Sequence, residues 1–385
     1  MRMNKNQAVT ADASRRLTIA IDVKNLALFT GGIAAFFTPL LNSWVSARKD
    51  LDFVLVGPSY DATELLEKPN VRFWTVPWPA MLPRQLRHPV YDNLLFSRAM
   101  KLIKPDLLFT PYHDVRIPKS IPSVIMVHDM CLSDLADVYP FRIRAYYLQM
   151  LKRNLRYADQ VLTVSETSLN RLKVAYDFTA DKSCIVPNAI SPELVNALRL
   201  DDLSDQVRAE RPTGLHIFYP GGSEFRKNIR RLCLAVERLK VLGKQPYVWV
   251  TGERNVAWSS CLNSISSIDE SCFHFLGYLD ITSLAVQYRA CDVTVYPTLC
   301  EGFGRVVLEA MELGSPVACS DIEVLREVAD DYPCYFDPED THSIAKGILD
   351  AATKGRQKPK RYDQYQPNVV VQRFLDKMNQ IVSDL

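Results

Sequence analysis

Glu301-Gly302-Phe303-Gly304-Arg305-Val306-Val307-Leu308-Glu309 stands between an apolar run, Val293-Thr294-Val295-Tyr296, and the segment Ala310-Met311-Glu312-Leu313-Gly314. The run reads as a buried strand and the segment as a helix closed by glycine. The nine residues between them are therefore a strand-to-helix turn with a carboxylate at its mouth and another in the first turns of the helix. Gly302 and Gly304 leave no side chain where a ligand or a second backbone comes close. The free N–H groups that open the helix favour an anion. Glu309 follows Arg305 by four residues and shares its side of the helix. Two carboxylates beside an anion cradle suit a ligand carrying both phosphate and hydroxyl groups. A Gly-x-Gly turn also serves an ordinary chain reversal, with Glu309 then a solvated helix residue, so a second signal is needed.

That signal is Pro220-Gly221-Gly222-Ser223-Glu224-Phe225-Arg226-Lys227-Asn228, which follows the apolar run His216-Ile217-Phe218-Tyr219. Cations are unfavourable at a helix N-terminus, so Arg226 and Lys227 call for a negative partner there. A diphosphate would supply it, with the guanidinium as a fork and the ammonium as a point charge.

Outward from these stretches, short apolar runs alternate with helical patterns through two series. The first holds strands at Leu17–Val23, Phe53–Gly57, Val71–Val76, Leu107–Thr110, Ser123–Val127 and Gln160–Val164, with helices at Ile33–Ala47 and Phe141–Tyr157, and Ser165 capping a further helix. The pattern stops at Cys184-Ile185-Val186-Pro187-Asn188, and a charged stretch leads to Gly214. The second series starts at His216 and includes helices Asn228–Leu242, Ile281–Ala290 and Asp340–Lys354. Alternation of this kind implies parallel α/β sheets. The expected organisation is a disordered lead-in at 1–16, one domain at 17–200, a second at 213–360, and a polar strap with a final amphipathic helix at 361–385. Ligands of such sheets bind at the carboxyl ends of strands. Gly31-Gly32 and His128-Asp129 fall there in the first series, as the two quoted stretches do in the second. Taken alone, Gly31-Gly32 also fits a plain turn, and His128 a hydrogen-bonded core histidine.

The composition narrows the class. The chain has 385 residues, 48% hydrophobic and 23% charged, with a net charge of +2, so it carries no nucleic-acid signature and reads as a soluble globular protein. Nine cysteines, an odd number without a C-x-x-C pair, argue against a disulfide framework and a structural zinc site. Each then reads as a small buried apolar residue in a reducing cytoplasm. No apolar run is long enough for a transmembrane helix, and Met1–Arg16 has no signal-peptide core.

Tyr219 to Asn228 resembles the diphosphate loop of the retaining GT-B glycosyltransferases of family 4, and Glu301-x7-Glu309 with Gly-Phe-Gly resembles that group's E-x7-E motif. Phe275-Leu276-Gly277-Tyr278, Leu284…Tyr288-Arg289-Ala290-Cys291-Asp292, Thr30-Gly31-Gly32-Ile33, Val127-His128-Asp129, Val164-Ser165-Glu166 and Pro187-Asn188 fall in the group's order, so the resemblance covers roughly 17–340. It implies a GT-B fold, two Rossmann-like domains facing each other across a cleft, and a nucleoside-diphosphate sugar as donor. By the same resemblance Lys227 and Arg226 neutralise the leaving diphosphate, and Glu309 accepts from the ribose hydroxyls. Glu301 lies by the transferred sugar near the amides of Phe303, Gly304, Arg305 and Val306. His128 bonds a sugar hydroxyl near the reacting end, and Gly31, Gly32 and Gly222 admit the phosphates. The base lies near Tyr278. The final helix crosses back to the first domain and forms part of the hinge.

Two positions depart from the group. Gly222 stands where many members carry an arginine, which Arg226 takes over, and Ala189 replaces a glycine. Fixed cations make a metal unnecessary for leaving-group stabilisation. The D-x-D spelled by Asp50-Leu51-Asp52 lies at the start of a strand, the wrong end for ligands. No carboxylate is well placed as a nucleophile on the acceptor side, which favours front-face displacement. The basic helix Phe141–Arg156 with Pro83–Arg87 reads either as a solvated face or as a contact with anionic membrane or a lipid-diphosphate acceptor. The expectation is a cytoplasmic hexosyltransferase of mannose, rhamnose or glucose type, acting on a glycan or lipid-linked acceptor in surface polysaccharide synthesis, with contact at the inner membrane face. The alternative is a nucleotide-sugar-binding protein without transfer activity; a GT-B epimerase or phosphorylase is weaker still.

Overall fold

The computed structural model describes residues 15–28, 32–58, 67–196 and 201–385. Two parallel sheets organise them. The first consists of β1 (Thr18–Asp22), β2 (Asp52–Gly57), β3 (Val71–Thr75), β4 (Leu107–Thr110), β5 (Ser123–Val127), β6 (Gln160–Thr163) and β7 (Ser183–Ile185), in the order β3-β2-β1-β4-β5-β6-β7. The second consists of β8 (Leu215–Tyr219), β9 (Pro246–Val250), β10 (Phe273–Phe275), β11 (Val293–Tyr296), β12 (Val317–Ser320) and β13 (Cys334–Phe336), in the order β10-β9-β8-β11-β12-β13. Every residue of β4, β5, β11 and β12 is buried, which is why these strands read as continuous apolar runs rather than alternating ones. In the second sheet Ile217, Val248, Val250, Val293 and Val295 pack with Leu232, Val236, Ile344 and Ile348 into one core.

The order of each sheet reverses once. In the first the reversal lies between β1 and β4, and in the second between β8 and β11, whose register pairs Val293 with Ile217 and Thr294 with Phe218. A crevice opens at the carboxyl ends of the two strands at such a reversal, and ligands of open parallel sheets bind there.

By compactness the chain divides into one unit of Met1–Ile125, Tyr157–Asp159 and Asn379–Leu385, and another of Met126–Arg156 and Gln160–Met378. The final helix, Pro367–Ser383, has a proline at its first position, and its last residues group with the first unit. Among the described residues, no helix is long and apolar enough to cross a membrane.

The proline-rich, basic stretch around Pro83–Arg87 takes up regular structure. From Arg84 the chain is helical: Arg84–Val90, a π-helical turn at Tyr91–Leu95, then Phe96–Ile103. Pro89 inside the first of these lacks an N–H to donate into the ladder, and the wider turn follows directly after it. The strand pattern ends with β7, within the stretch where it was expected to stop. The charged stretch beyond it includes two helices, Pro192–Asn196 and Asp201–Ala209.

Candidate active site

The site is built at the reversal of the second sheet, from the segments that leave β8 and β11. The hydroxyl of Tyr219 donates to the Gly222 carbonyl at 2.7 Å, and a Cβ on Gly221 would lie 2.5 Å from the same ring. Only glycine lets the chain fold this tightly over the tyrosine. Phe225–Lys227 is then a 3-10 turn rather than the first turn of the following helix. Asn228 closes it in the left-handed region at φ 60°, and its amide donates to the carbonyls of Pro297 (2.9 Å) and Pro338 (2.7 Å).

Glu301 receives everything this turn presents. Its Oε1 accepts from Arg226 Nη1 at 2.5 Å, Lys227 Nζ at 2.7 Å, the Tyr296 hydroxyl at 2.8 Å and the Thr298 hydroxyl at 2.9 Å. Lys227 Nζ also donates to the Tyr296 hydroxyl at 2.6 Å and lies 4.8 Å from that ring's centre. Burial raises the pKa of Glu301, but Lys227 and Arg226 pull harder, so it is held below the ordinary glutamate range. Burial opposes the charge on Arg226, but Glu301, Tyr296, Asp129 and Glu224 together outweigh it, so the guanidinium stays firmly charged. This revises the reason for the two cations: the chain itself supplies their negative partner, with one carboxylate between two positive groups.

Gly302 is fixed by contact. A Cβ there would stand 1.7 Å from the His128 carbonyl oxygen, and its own carbonyl accepts from Ser165 Oγ at 2.7 Å. Ser165 is also the cap of the helix Glu166–Tyr176, as read from sequence. His128, half-buried just past β5, and Glu301 are thus brought to one place by backbone contact. Gly304, at φ 100°, opens the helix Arg305–Glu312, and a Cβ there would meet Leu325 at 2.3 Å. Arg305 and Glu309 share one side of that helix, with Arg305 Nη2 on Glu309 Oε1 at 3.0 Å, and the Tyr288 hydroxyl donates to Oε2 at 2.9 Å.

The remaining expected residues separate. Phe303 is buried with its ring against Tyr365, so only its backbone is left for a ligand. Val306 is half-buried in the first helical turn, Gly222 lies in the turn over Tyr219, and Tyr278 is 95% exposed beside the Gly252–Gly277 bridge. Gly31 lies outside the described residues, and Gly32 is the first residue of the helix Gly32–Ala47. Asp52 opens β2, and Asp50 pairs with Arg48. In the helix Phe141–Tyr157, Phe141 and Ile143 are exposed.

Sequence reasoning missed Tyr296, Thr298 and Tyr288. The two tyrosines fit the apolar period of a strand and a helix and read as core, although Tyr296 ends a strand, where ligand sites form. It also missed a cysteine pair. Cys131 and Cys300 form a disulfide across 169 residues, which corrects the reading of every cysteine as free. A pairing between the segment after His128 and the residue before Glu301 leaves no spacing signature; only the fold brings the two together. Seven other cysteines are free.

A family model described as glycosyl transferases group 1 matches residues 202–369, and one described as glycosyltransferase family 4 matches residues 30–194. The chain belongs to the family 4 glycosyltransferases of the GT-B fold. It is similar to the O-antigen chain mannosyltransferase B of Escherichia coli, 28% identical over 232 residues, covering 59% of this chain and 60% of that one. It is also similar to the O-antigen chain mannosyltransferase RfbU of Salmonella typhimurium, 25% identical over 299 residues and 77% of each chain. The match thus spans only about three fifths of the first relative's length. Among solved structures, WaaG, a glycosyltransferase involved in lipopolysaccharide biosynthesis, superposes with a TM-score of 0.72 at 16% identity over 93% of this chain and 99% of its own. Anabaena HepE in complex with UDP-glucose gives 0.62 at 15% identity, over 95% of this chain and 100% of its own. These likenesses concern the fold.

Proposed function

We propose that the protein is a retaining glycosyltransferase that moves a hexose of mannose, rhamnose or glucose type from a nucleoside-diphosphate sugar to a glycan or lipid-linked acceptor. The setting is bacterial surface polysaccharide synthesis, as for the two mannosyltransferases it resembles. The observation that carries the reading is the convergence of Arg226 and Lys227 on Glu301 at the sheet reversal, with Gly302 against the His128 carbonyl. In this reading the donor's diphosphate replaces Glu301 as partner of the two cations, and the released carboxylate turns to the sugar. Arg226 and Lys227 then stabilise the charge that grows on the leaving group, which is the largest electrostatic demand of the reaction. His128 holds a sugar hydroxyl, and Glu309 holds the ribose. The acceptor attacks from the face the diphosphate leaves, and the departing phosphate takes its proton. Fixed cations do here what a metal does elsewhere, so no metal is required. The working place is the cytoplasmic side of the membrane, with the basic helix Phe141–Tyr157 towards anionic lipid.

The test is a screen of GDP-mannose, dTDP-rhamnose and UDP-glucose for slow donor hydrolysis, read as release of nucleoside diphosphate. One donor is expected to be hydrolysed well above the others, with the rate unchanged in EDTA. No release from any nucleotide sugar and no nucleoside diphosphate binding by calorimetry would overturn the reading. Loss of activity in EDTA with recovery on adding magnesium or manganese would overturn its metal-independent part.

A further inference from the structure

Three segments meet at Cys300–Gly302, those that leave β5, β8 and β11. From the β8 side, Arg226 Nη1 donates to the Cys300 carbonyl at 3.3 Å, and the Arg226 carbonyl accepts from the Leu299 amide at 2.7 Å. From the β5 side come the His128 carbonyl, against Gly302, and the bond from Cys131 to Cys300. Ser165 Oγ donates to the Gly302 carbonyl at 2.7 Å. The Ser168 hydroxyl stands 3.2 Å from the same oxygen and 3.4 Å from that of His128. All these links but one are contacts or hydrogen bonds that open and close unaided. The disulfide does not, and it immediately precedes Glu301.

The setting suits an exchangeable bond. Both cysteines are buried, but the ion pair of Arg171 with Asp134 lies against the Cys300 sulfur, Nη1 at 3.8 Å and Oδ2 at 3.7 Å, and its two side chains are partly exposed. One ion pair therefore separates the bond from solvent. A guanidinium beside a sulfur favours the thiolate, and a stabilised thiolate leaves a disulfide faster; Asp134 offsets part of this. The working place proposed above is a reducing compartment, where disulfides are mostly transient, catalytic or redox-sensing. What the bond does follows from the state it accompanies. With the bond formed, Glu301 holds both Arg226 and Lys227. Four donors retain that carboxylate, so it leaves them most easily by a shift of its own turn, and the bond ties that turn to the β5 segment.

We infer that Cys131 and Cys300 form a reversible dithiol–disulfide exchange site: the bond locks Glu301 onto the two cations, and reduction frees the turn so that a diphosphate can take them. For the word diphosphate this rests on the transferase reading. In reduction, one thiolate of a small dithiol attacks the Cys131 sulfur; the S–S bond breaks and its electron pair leaves on Cys300, beside Arg171. The second thiolate of the dithiol then closes on the first, and Cys131 leaves in turn. The two protein thiolates take up the two protons the dithiol lost. The protein disulfide is thus reduced to two thiols while the dithiol is oxidised to its own disulfide. A small disulfide reverses each step.

The experiment uses the full chain carrying Cys261→Ser, because the sulfurs of Cys233 and Cys261 lie 3.9 Å apart and answer to the same reagents. The native protein is treated with glutathione disulfide or with dithiothreitol, and the reagent is removed. Peptide mapping is expected to find Cys131 joined to Cys300 in the first sample and both as thiols in the second. In hydrogen–deuterium exchange, amides of the segment 298–304 should exchange faster in the reduced form. Calorimetry should find UDP, GDP or dTDP bound at least roughly 5-fold more tightly by the reduced form, a coupling of ordinary size. Coupling is reciprocal, so that nucleotide should ease reduction in a dithiothreitol buffer by the same factor. Adding Cys131→Ser should give the reduced behaviour under both treatments; the comparison of the two redox forms does not depend on that variant folding. Failure to form or to reduce the bond in the native protein, equal exchange in the two forms, or equal affinity in the two forms would each overturn the inference. Equal affinity leaves the transferase reading standing. If neither form binds any of the three nucleotides, the transferase reading fails, and faster exchange on reduction still supports the lock.

Discussion

Two charged clusters occupy equivalent places, each at the order reversal of a parallel sheet, and they are built with opposite polarity. In the second sheet one carboxylate, Glu301, sits among two cations and two hydroxyls. In the first sheet one ammonium, Lys24, sits among three carboxyls, with Asp92 and Asp114 in direct contact and Asp22 on its backbone N–H. Among its direct contacts the first arrangement has a positive surplus, and in the proposed reading a diphosphate takes the place of its internal anion. The second has a negative surplus and can only accept donors. The same topological position thus holds opposite chemistry, because the reversal supplies the crevice while the loop residues supply the charge. The cations of Glu301 keep some contact with solvent, with side chains 22% and 11% exposed, whereas Lys24 and Asp92 have none. The lysine of the first-sheet cluster is therefore sealed, with Asp114 alone reaching solvent at 13%, while both cations of the second keep a solvent-facing side.

The largest expected effect follows from that closure. Lys24→Met removes the buried cation that faces Asp92 and Asp114, and breaking a buried pair in this way costs about 3–5 kcal/mol, a large fraction of a typical stability. Denaturant melting is expected to show a protein unfolded or nearly so at 37 °C. Lys227→Met leaves Arg226 on Glu301 and is expected to cost the fold less, while weakening binding of the matching nucleoside diphosphate by at least 10-fold in calorimetry, since a charge-assisted bond contributes roughly 1.5–3 kcal/mol. If the two variants melt alike, the two clusters do not differ in kind.

A smaller effect is a difference of sign with pH. Burial pushes the Asp22 carboxyl from 3.8 up to about 7, against the opposing pull of Lys24. Its folded pKa lies above its unfolded one, so between pH 4 and about 7 the native state binds more protons than the unfolded chain, and stability falls as pH rises. Glu301 is shifted the other way, so its contribution is present above the ordinary glutamate range and is lost as pH falls through its folded pKa. Asp22→Asn keeps the acceptor for the Lys24 N–H and removes only the titration. Its melting temperature is expected to lose the downward slope between pH 4 and 7 that the wild type shows. A wild type and variant with parallel profiles in that window would place the Asp22 pKa near its ordinary value.

The two clusters also differ in how far sequence alone reveals them. Glu301, Arg226 and Lys227 lie within short stretches whose glycines and strand ends announce a turn, so the site could be assembled on paper. Lys24 is separated from Asp92 by 68 residues and from Asp114 by 90. Asp92 arrives on a π-helical turn that no pattern in the sequence marks. Nothing local marks a lysine as buried, since its composition and period are those of a surface residue. The same limit hid Cys131 and Cys300, and it hid Tyr296, whose apolar neighbours made it look like core. Local pattern shows where a strand ends; which side chains converge there is decided by sheet order.

The smallest effect concerns Tyr288, which sharpens the comparison within the second sheet. Glu301 draws four donors onto one oxygen, while Glu309 has one donor on each, Tyr288 on Oε2 and Arg305 on Oε1. Glu309 is therefore the less tightly held of the two and the better suited to take new donors from a ribose. Tyr288 is fully buried and touches the carboxylate rather than the space beyond it, so it acts as a positioning residue. Tyr288→Phe removes one neutral donor to an ionised group and is expected to cost roughly 1–2 kcal/mol of stability. Its effect on function should be confined to the donor, with KM for the nucleotide sugar raised about 3- to 10-fold and kcat nearly unchanged, because the ribose is held equally in the ground and transition states. Glu309→Gln should show the same split, larger, with weaker nucleoside diphosphate binding and an intact fold. A fall in kcat without a change in KM for Tyr288→Phe would instead tie Glu309 to the reacting centre and erase the distinction between the two glutamates.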